Sequence, residues 1–242
     1  MDMRISGSGQ ITPGEYENIR ISGSGRLSGL VRCTSFHASG SAHGDEIDCK
    51  KEMKVSGSCG FNKDIRCSSL GVSGSFSCGG NVTAWERLNC SGAAKVEGNI
   101  KCGELQASGG IHVGSDVEAE TVKISGRINC GGLLNAEEIH ISSSGSMEIG
   151  SIGGSKVVIC LDKGSKRIER LPLLSSLIHF SGGGVRVKNA IEADTVALEN
   201  VKTPRVSGRI VAIGEDCEID LVQYSQDIEI SPKAKVGRTE KL

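Results

Sequence analysis

The stretch LQASGGIHVGSDVEAETVKISGRINCGGLLNAEEIHISSSG, Leu105 to Gly145, decides the fold. Its apolar residues come in pairs split by one polar residue: Leu105 and Ala107, Ile111 and Val113, Val117 and Ala119, Val122 and Ile124, Ile128 and Cys130, Leu134 and Ala136, Ile139 and Ile141. A strand sends alternate side chains to opposite faces, so each pair points inward and the residue between them points out. The pairs start 6, 6 and then 5 positions apart, so three pairs consume 17 residues before the rhythm repeats. A chain that turns three times in that span is winding a three-sided coil. The expected class is all-β: a parallel β-helix, or β-solenoid, with about 17 residues per coil.

The same period runs through the first part of the chain. Ser-Gly steps begin at Ser6, Ser22, Ser39, Ser56, Ser73, Ser91, Ser108 and Ser125, with Ser142-Ser143 as a degenerate ninth. Their spacings are 16, 17, 17, 17, 18, 17, 17 and 17. The 18 coincides with Ala84-Trp85-Glu86-Arg87-Leu88, where one extra residue enters a corner; the same slip inside a strand would invert its inward and outward faces. Each Ser-Gly follows an inward-outward-inward triplet, and a sharp bend with positive φ is the expected reason for glycine there. Gly44, Gly79, Gly98, Gly114, Gly131 and Gly150 mark a second corner. A flexible Gly/Ser linker would not hold apolar residues in fixed phase.

Composition agrees with a narrow, regular core: 34 of 242 residues are glycine, 4 are proline and 3% are aromatic. Lys and Arg total 28 against 29 Asp and Glu, a formal charge of −1, which offers nucleic acid no broad basic field. Neither a signal core nor an apolar run long enough to span a membrane as a helix is present. The cytoplasm is the expected location, extending to the inner face of the cell membrane. Of the ten cysteines, all but Cys160 in the insertion fall in phase with the repeat. Cys33, Cys49, Cys67 and Cys102 share one inward column with Ala84, Ala119 and Ala136, while Cys59, Cys78, Cys90 and Cys130 take other inward positions. Cysteine is a small, readily buried side chain, so a packing role is expected, with neither metal nor disulfide.

After Ile152 the rhythm stops. The expected organisation is a stack over 1–152, an insertion over 153–184, and further coils over 185–242 that continue the stack. The insertion offers a strand-like KVVICL, a basic patch with Lys166, Arg167 and Arg170, and then Leu171, Leu174, Leu177, Ile178 and Phe180. Spacings of 3 and 4 in that run suit one side of a short helix starting near Pro172. The simplest role is a lateral flap whose apolar side lies on the solenoid; contact with a partner protein or with a membrane are the alternatives. The inward pairs resume at Val185 and Val187, and Glu199 to Arg209 is their least regular stretch.

No P-loop spacing and no dinucleotide fingerprint occur, so no cofactor is expected and any assembly should run without nucleotide. Triangular solenoids also include the hexapeptide acyltransferases, whose coil of 18 residues is marked by aliphatic-Gly hexapeptides and whose base is a histidine. Here the coil is 17 and the marker is Ser-Gly. His37, His112 and His140 sit between inward pairs and are expected to face solvent; His43 lies near a corner and His179 in the insertion. An enzyme is not expected.

The repeats RISGSG, IRISGSGRLSGLVRC and KVSGS, together with VRVKNAIEADTVALENVKTPRVSGRIVAIGEDCEIDLVQYS near the C-terminus, resemble the bactofilins, in particular their longer Firmicutes members. The resemblance implies a right-handed, three-sided β-helix that polymerises end to end without nucleotide or polarity and scaffolds the cell envelope. Some members carry a membrane-targeting leader; this chain enters the repeat by Met3 or Ile5, so targeting of that kind is not expected. Each end of such a helix exposes unpaired backbone groups and a slice of core. Met3, Ile5, Ile21 and Leu27 are the candidate contact residues for one end, and Ile228, Ile230, Ala234 and Val236 for the other. The expected partner is a further copy of the chain, with cell-envelope or motility proteins as cargo. A soluble β-helix adaptor that docks partner proteins without polymerising is the alternative.

Overall fold

The computed structural model describes residues 1–143, 145–161 and 184–242. Lys166, Arg167, Arg170, Leu171, Leu174, Leu177, Ile178, His179 and Phe180 lie outside the described residues. Among the described residues there is no helix, and the strands stack in parallel as a β-solenoid of about 17 residues per turn. They form two compact units, Met1–Ala119 and Glu120–Leu242.

In Met1–Ala119 each coil is one short strand and one longer strand with a corner inside it. Ser58–Phe61 and Ile65–Val72 make one such coil, followed by Ser75–Cys78 and Val82–Cys90. The inward pairs stack in register. Met3, Ile19, Phe36, Met53, Leu70, Leu88 and Leu105 form one column. A second runs Ile5, Ile21, Ala38, Val55, Val72, Cys90 and Ala107. Sizes compensate between columns: a Cβ built on Gly44 would lie 2.7 Å from the ring of Phe61, so the missing side chain there is filled by the phenyl group one coil on. Phe61 also meets Phe36 edge to face, with ring centroids 6.0 Å apart. A fully buried aliphatic or aromatic side chain contributes about 1.5–3 kcal/mol, and every coil adds several.

The corner glycines have a different cause from the expected one. Among the described glycines, positive φ is confined to Gly14 (159°) and Gly29 (60°). At Gly23, Gly40, Gly57, Gly74, Gly92 and Gly109 the constraint is the backbone of the preceding coil: a Cβ would lie 2.0–2.1 Å from the carbonyl oxygen of the previous corner glycine. The coils close on each other there through hydrogen bonds such as Ser58 N to Gly40 O (3.0 Å) and Ser75 N to Gly57 O (2.9 Å). Glycine is thus required for close approach rather than for an unusual dihedral.

The second corner holds a ladder of side chains. Asn81 donates from its backbone N (2.9 Å) and its Nδ2 (3.2 Å) to Asp64 Oδ1, and Asn99 repeats both bonds onto Asn81 Oδ1 at 2.9 and 3.1 Å. Asp116 N then donates to Asn99 Oδ1 at 3.0 Å. Each side chain thereby satisfies backbone donors that a corner would leave unpaired.

In Glu120–Leu242 the strand Met147–Leu161 pairs with Arg127–Ser143 on one side and with Ala190–Leu198 on the other, so Gly153–Leu161 belongs to the parallel ladder. Residues 199–209 keep register as well. Val201 pairs with Val185 and Val206 with Ile191, while Thr203, 5% exposed, takes the inward place opposite Ile219. Its hydroxyl donates to Arg205 O at 3.4 Å, which is how a polar side chain is accommodated in an aliphatic column.

Candidate functional site

Strands such as Met3–Ile5 and Ser8–Ile11 alternate inward and outward, so a first coil presents its inward side chains along one open margin. Met3–Ile5 pairs with Ile19–Ile21, and Ser8–Ile11 with Ser24–Leu27; among the described residues no strand lies on the outer side of either. Met3 is half-buried and Ile5 buried. Ile21 and Leu27, predicted for the same margin, lie one coil deeper: Ile21 is sandwiched between Ile5 and Ala38, and both are nearly inaccessible. The residues that share the first coil with Met3 and Ile5 are Gly9 and Ile11. Tyr16 also belongs there. It stands in register with Cys33, and its hydroxyl donates to Thr12 O at 3.0 Å. A large ring in a column otherwise held by cysteine and alanine was the available sequence signal.

In the second unit, Ile228 pairs with Val211 and Ile230 with Ile213 on one side, and no described strand lies on the other. Lys235–Lys241 pairs with Glu218–Tyr224, placing Val236 beside Ile219. Ile228, Ile230, Ala234 and Val236 are all half-buried, whereas Val211, Ile213 and Ile219 are buried. Aliphatic side chains that lose their cover at the last coil define an apolar margin. Its third side is polar: Thr239 follows Val222 and Lys241 follows Tyr224 in columns that are otherwise mostly aliphatic or small.

The cysteine column is present as expected: Cys33, Cys49, Cys67, Ala84 and Cys102 are register partners in sequence. Nine of the ten cysteines are buried, and none is in a disulfide. Burial pushes the thiols of Cys59, Cys67 and Cys102 up to about 12, and those of Cys78, Cys90 and Cys217 up to about 11. The Cys33 thiol, hydrogen-bonded to Cys49 and desolvated, is also pushed up. Cys49 moves the other way, lowered by its hydrogen bond with Cys33 against the effect of burial; the thiols that burial keeps neutral are poor nucleophiles and poor metal ligands. Among the described residues no group of three or more His, Cys, Asp or Glu side chains is placed to hold a metal ion.

The histidines differ from one another. His112 and His43 are exposed, and His37, half-buried, lies 3.8 Å from a carboxylate oxygen of Glu52. His140, expected to face solvent, is half-buried; desolvation first, then Lys156, holds it below the ordinary histidine value, with Glu138 opposing. No helix among the described residues is long and apolar enough to cross a membrane.

Comparison with known proteins places these features. An uncharacterized protein of Bacillus subtilis (strain 168), YhbE, is 37% identical over 67 residues, and the matched part is 28% of each chain. No solved structure gives a significant match. The stacked coils with the cysteine column and the Asp64–Asp116 corner ladder fall almost entirely within residues 45–115, the stretch that matches the bactofilin family model, described as polymer-forming cytoskeletal.

Proposed function

We propose that the chain is a structural protein that assembles end to end, without nucleotide, into filaments that scaffold cell-envelope or motility components in the cytoplasm. The observation that carries this reading is the loss of cover along the aliphatic columns at the last coil, where Ile228, Ile230, Ala234 and Val236 are half-buried and the outer edge of their strands has no described partner. Stacking on the Met3 and Ile5 margin of another copy would extend the backbone ladder and complete those columns. The description of the bactofilin family as polymer-forming supports the same assignment. Ile21 and Leu27 enter the proposal as the layer against which the first coil is braced. Negative-stain microscopy of the purified protein with no nucleotide added tests it. Filaments are expected, and Ile230→Asp or Ile5→Asp should shorten or abolish them while the β signal in circular dichroism persists. Unchanged filaments from both variants refute the assignment.

One observation favours a second reading, a non-polymerising adaptor. Thr239 and Lys241 make the third side of the last coil polar, and Lys235, Arg238 and Lys241 put charge on its edge strand, a common means of preventing edge-to-edge association. Sedimentation at low micromolar concentration separates the two: a monomer or dimer supports the adaptor, and larger species support the filament.

A further inference from the structure

One outer side of the Met1–Ala119 unit carries a groove that end-to-end assembly leaves unused. Its rim is the corner ladder of Asp64, Asn81, Asn99 and Asp116. Beside the rim, Arg66, Thr83 and Lys101 are register partners on successive coils, and Lys101 meets Glu118 at 2.8 Å. Thr83 is the short member of that outward column, and the gap it leaves between two long side chains floors a groove of about 450 Å³. That volume lies in the range of small-molecule sites. The groove crosses four coils, a length of about 14 Å at the spacing of neighbouring strands.

The charges of the groove are already paired. Arg66 reaches Glu46 at 3.3 Å and Asp64 at 3.6 Å, and Lys101 is held by Glu118. With two cations against three carboxylates in the lining, nothing there draws a strongly anionic ligand. What remains is hydrogen-bonding capacity. Asn81 and Asn99 each spend one Nδ2 hydrogen on the ladder, at 3.2 and 3.1 Å, and keep the other among the described residues. Donors and acceptors side by side, without net attraction for an ion, match a neutral ligand rich in hydroxyls, because each hydroxyl both donates and accepts.

The chain's single tryptophan borders this groove. Thr83 and Trp85 flank the inward Ala84, so both leave the strand outward, about 7 Å apart along the chain. The extra residue of this coil sets Trp85 and Glu86 against Ser68 on one side and Gly103 on the other. A Cβ on Gly103 would lie 2.6 Å from Glu86 O and 3.1 Å from Trp85 O, so the neighbouring coil has no side chain there, and Trp85 is 61% exposed. An indole left this open adds little to the core. Its flat apolar face beside a polar groove fits a sugar ring, whose C–H bonds make an apolar face and whose hydroxyls lie around the rim.

We propose that this side of the solenoid binds a neutral oligosaccharide. One sugar ring stacks on Trp85, and the adjoining rings lie over Thr83, where the Asn81 and Asn99 amides and the Glu118 carboxylate hydrogen-bond their hydroxyls. The site lies away from both terminal coils, so it is independent of whether the protein forms filaments.

Trp85 is its own reporter, since no other indole is present. Its fluorescence in the full chain is followed while cellotetraose, chitotetraose or maltotetraose is added to millimolar concentration. A saturable blue shift with at least one of the three is expected; no shift with any of them overturns the proposal. Thr83→Gln fills the groove floor and leaves Trp85 in place, so it should weaken the response at least tenfold, and an unchanged titration overturns the placement. Should Thr83→Gln lose its β signal in circular dichroism, calorimetry on Trp85→Ala carries the test, with at least tenfold weaker binding expected and an equal affinity overturning. A blue shift that appears when the sugar-free protein is concentrated would assign Trp85 to a contact between copies, which also overturns the proposal.

Discussion

A methyl group added at Gly57 and one added at Gly7 probe the same kind of corner with opposite expectations. At Gly57 a Cβ would sit 2.0 Å from Gly40 O, and backbone on both sides is fixed by the ladder; at Gly7 nothing lies within 4 Å, because no described coil sits beneath it. Gly57→Ala should therefore lower the unfolding free energy by more than about 2 kcal/mol, and Gly7→Ala should stay within about 0.5 kcal/mol of the parent in urea denaturation. Equal losses would return the explanation to backbone dihedrals. The buried thiols give a second prediction. Their folded values lie above the unfolded value near 9, so the stability they contribute is complete below that pH and is lost as pH rises toward 12. Each of Cys59 and Cys67 adds about 1.4 kcal/mol per pH unit to the alkaline slope. Replacing both by Ala should flatten the fall in denaturation midpoint above pH 9, and an identical slope would contradict this. The column was legible because Cys and Ala alternate in phase with the 17-residue period. The cause of the corner glycines was not, because a sequence shows where a glycine lies and not what lies over it.

Strands and corners differ in what they tolerate, and the 18-residue coil at Ala84–Leu88 measures the difference. Val82–Cys90 stays in register with Ile65–Val72 and Ile100–Ala107 on both sides of a shift between Ala84 and Arg87, so the extra residue is absorbed entirely at the corner. The bulge leaves Trp85 61% exposed, and Arg87 reaches Glu104 at 3.0 Å. Deleting Glu86 restores a 17-residue coil and should change stability by less than about 1 kcal/mol. Deleting Thr83 instead turns Val82 outward or displaces every later pair, and should cost several kcal/mol or prevent folding. Thermal unfolding followed by circular dichroism distinguishes the two; similar losses would show that the corner is as constrained as the strand. The slip was readable from spacing alone. The Asp64, Asn81, Asn99 and Asp116 ladder was readable in principle, since its steps of 17, 18 and 17 follow the same period, but Asn and Asp at corners are common enough that position alone did not single them out. Thr203 hid the register of its strand because a threonine fits inward or outward positions until its hydroxyl finds Arg205 O.

At the scale of the whole molecule, a repeat states the fold many times over and the assembly surface not at all. Ile21 and Leu27 carry the same pattern as Ile5 and Ile11, yet only the latter belong to the first coil; periodicity makes every layer look terminal, and loss of cover is what identifies one. Burial separates Ile230 from Ile213 in the same column for the same reason. This makes a thermodynamic prediction that does not require filaments to be seen. If terminal layers stack, association stabilises the folded chain by mass action, and the unfolding temperature must rise with protein concentration. Ile230→Asp should abolish that dependence while lowering the dilute-limit unfolding temperature only slightly, because Ile230 is already half-exposed and its partner Ile213 remains packed. Adding ATP or GTP should leave both curves unchanged, since no phosphate-binding loop is present in the sequence. A parent protein whose unfolding temperature is flat over a hundredfold range of concentration would mean that the open margin at Ile228 and Ile230 does not bind a second copy, and the polar third side at Thr239 and Lys241 would then be the reason.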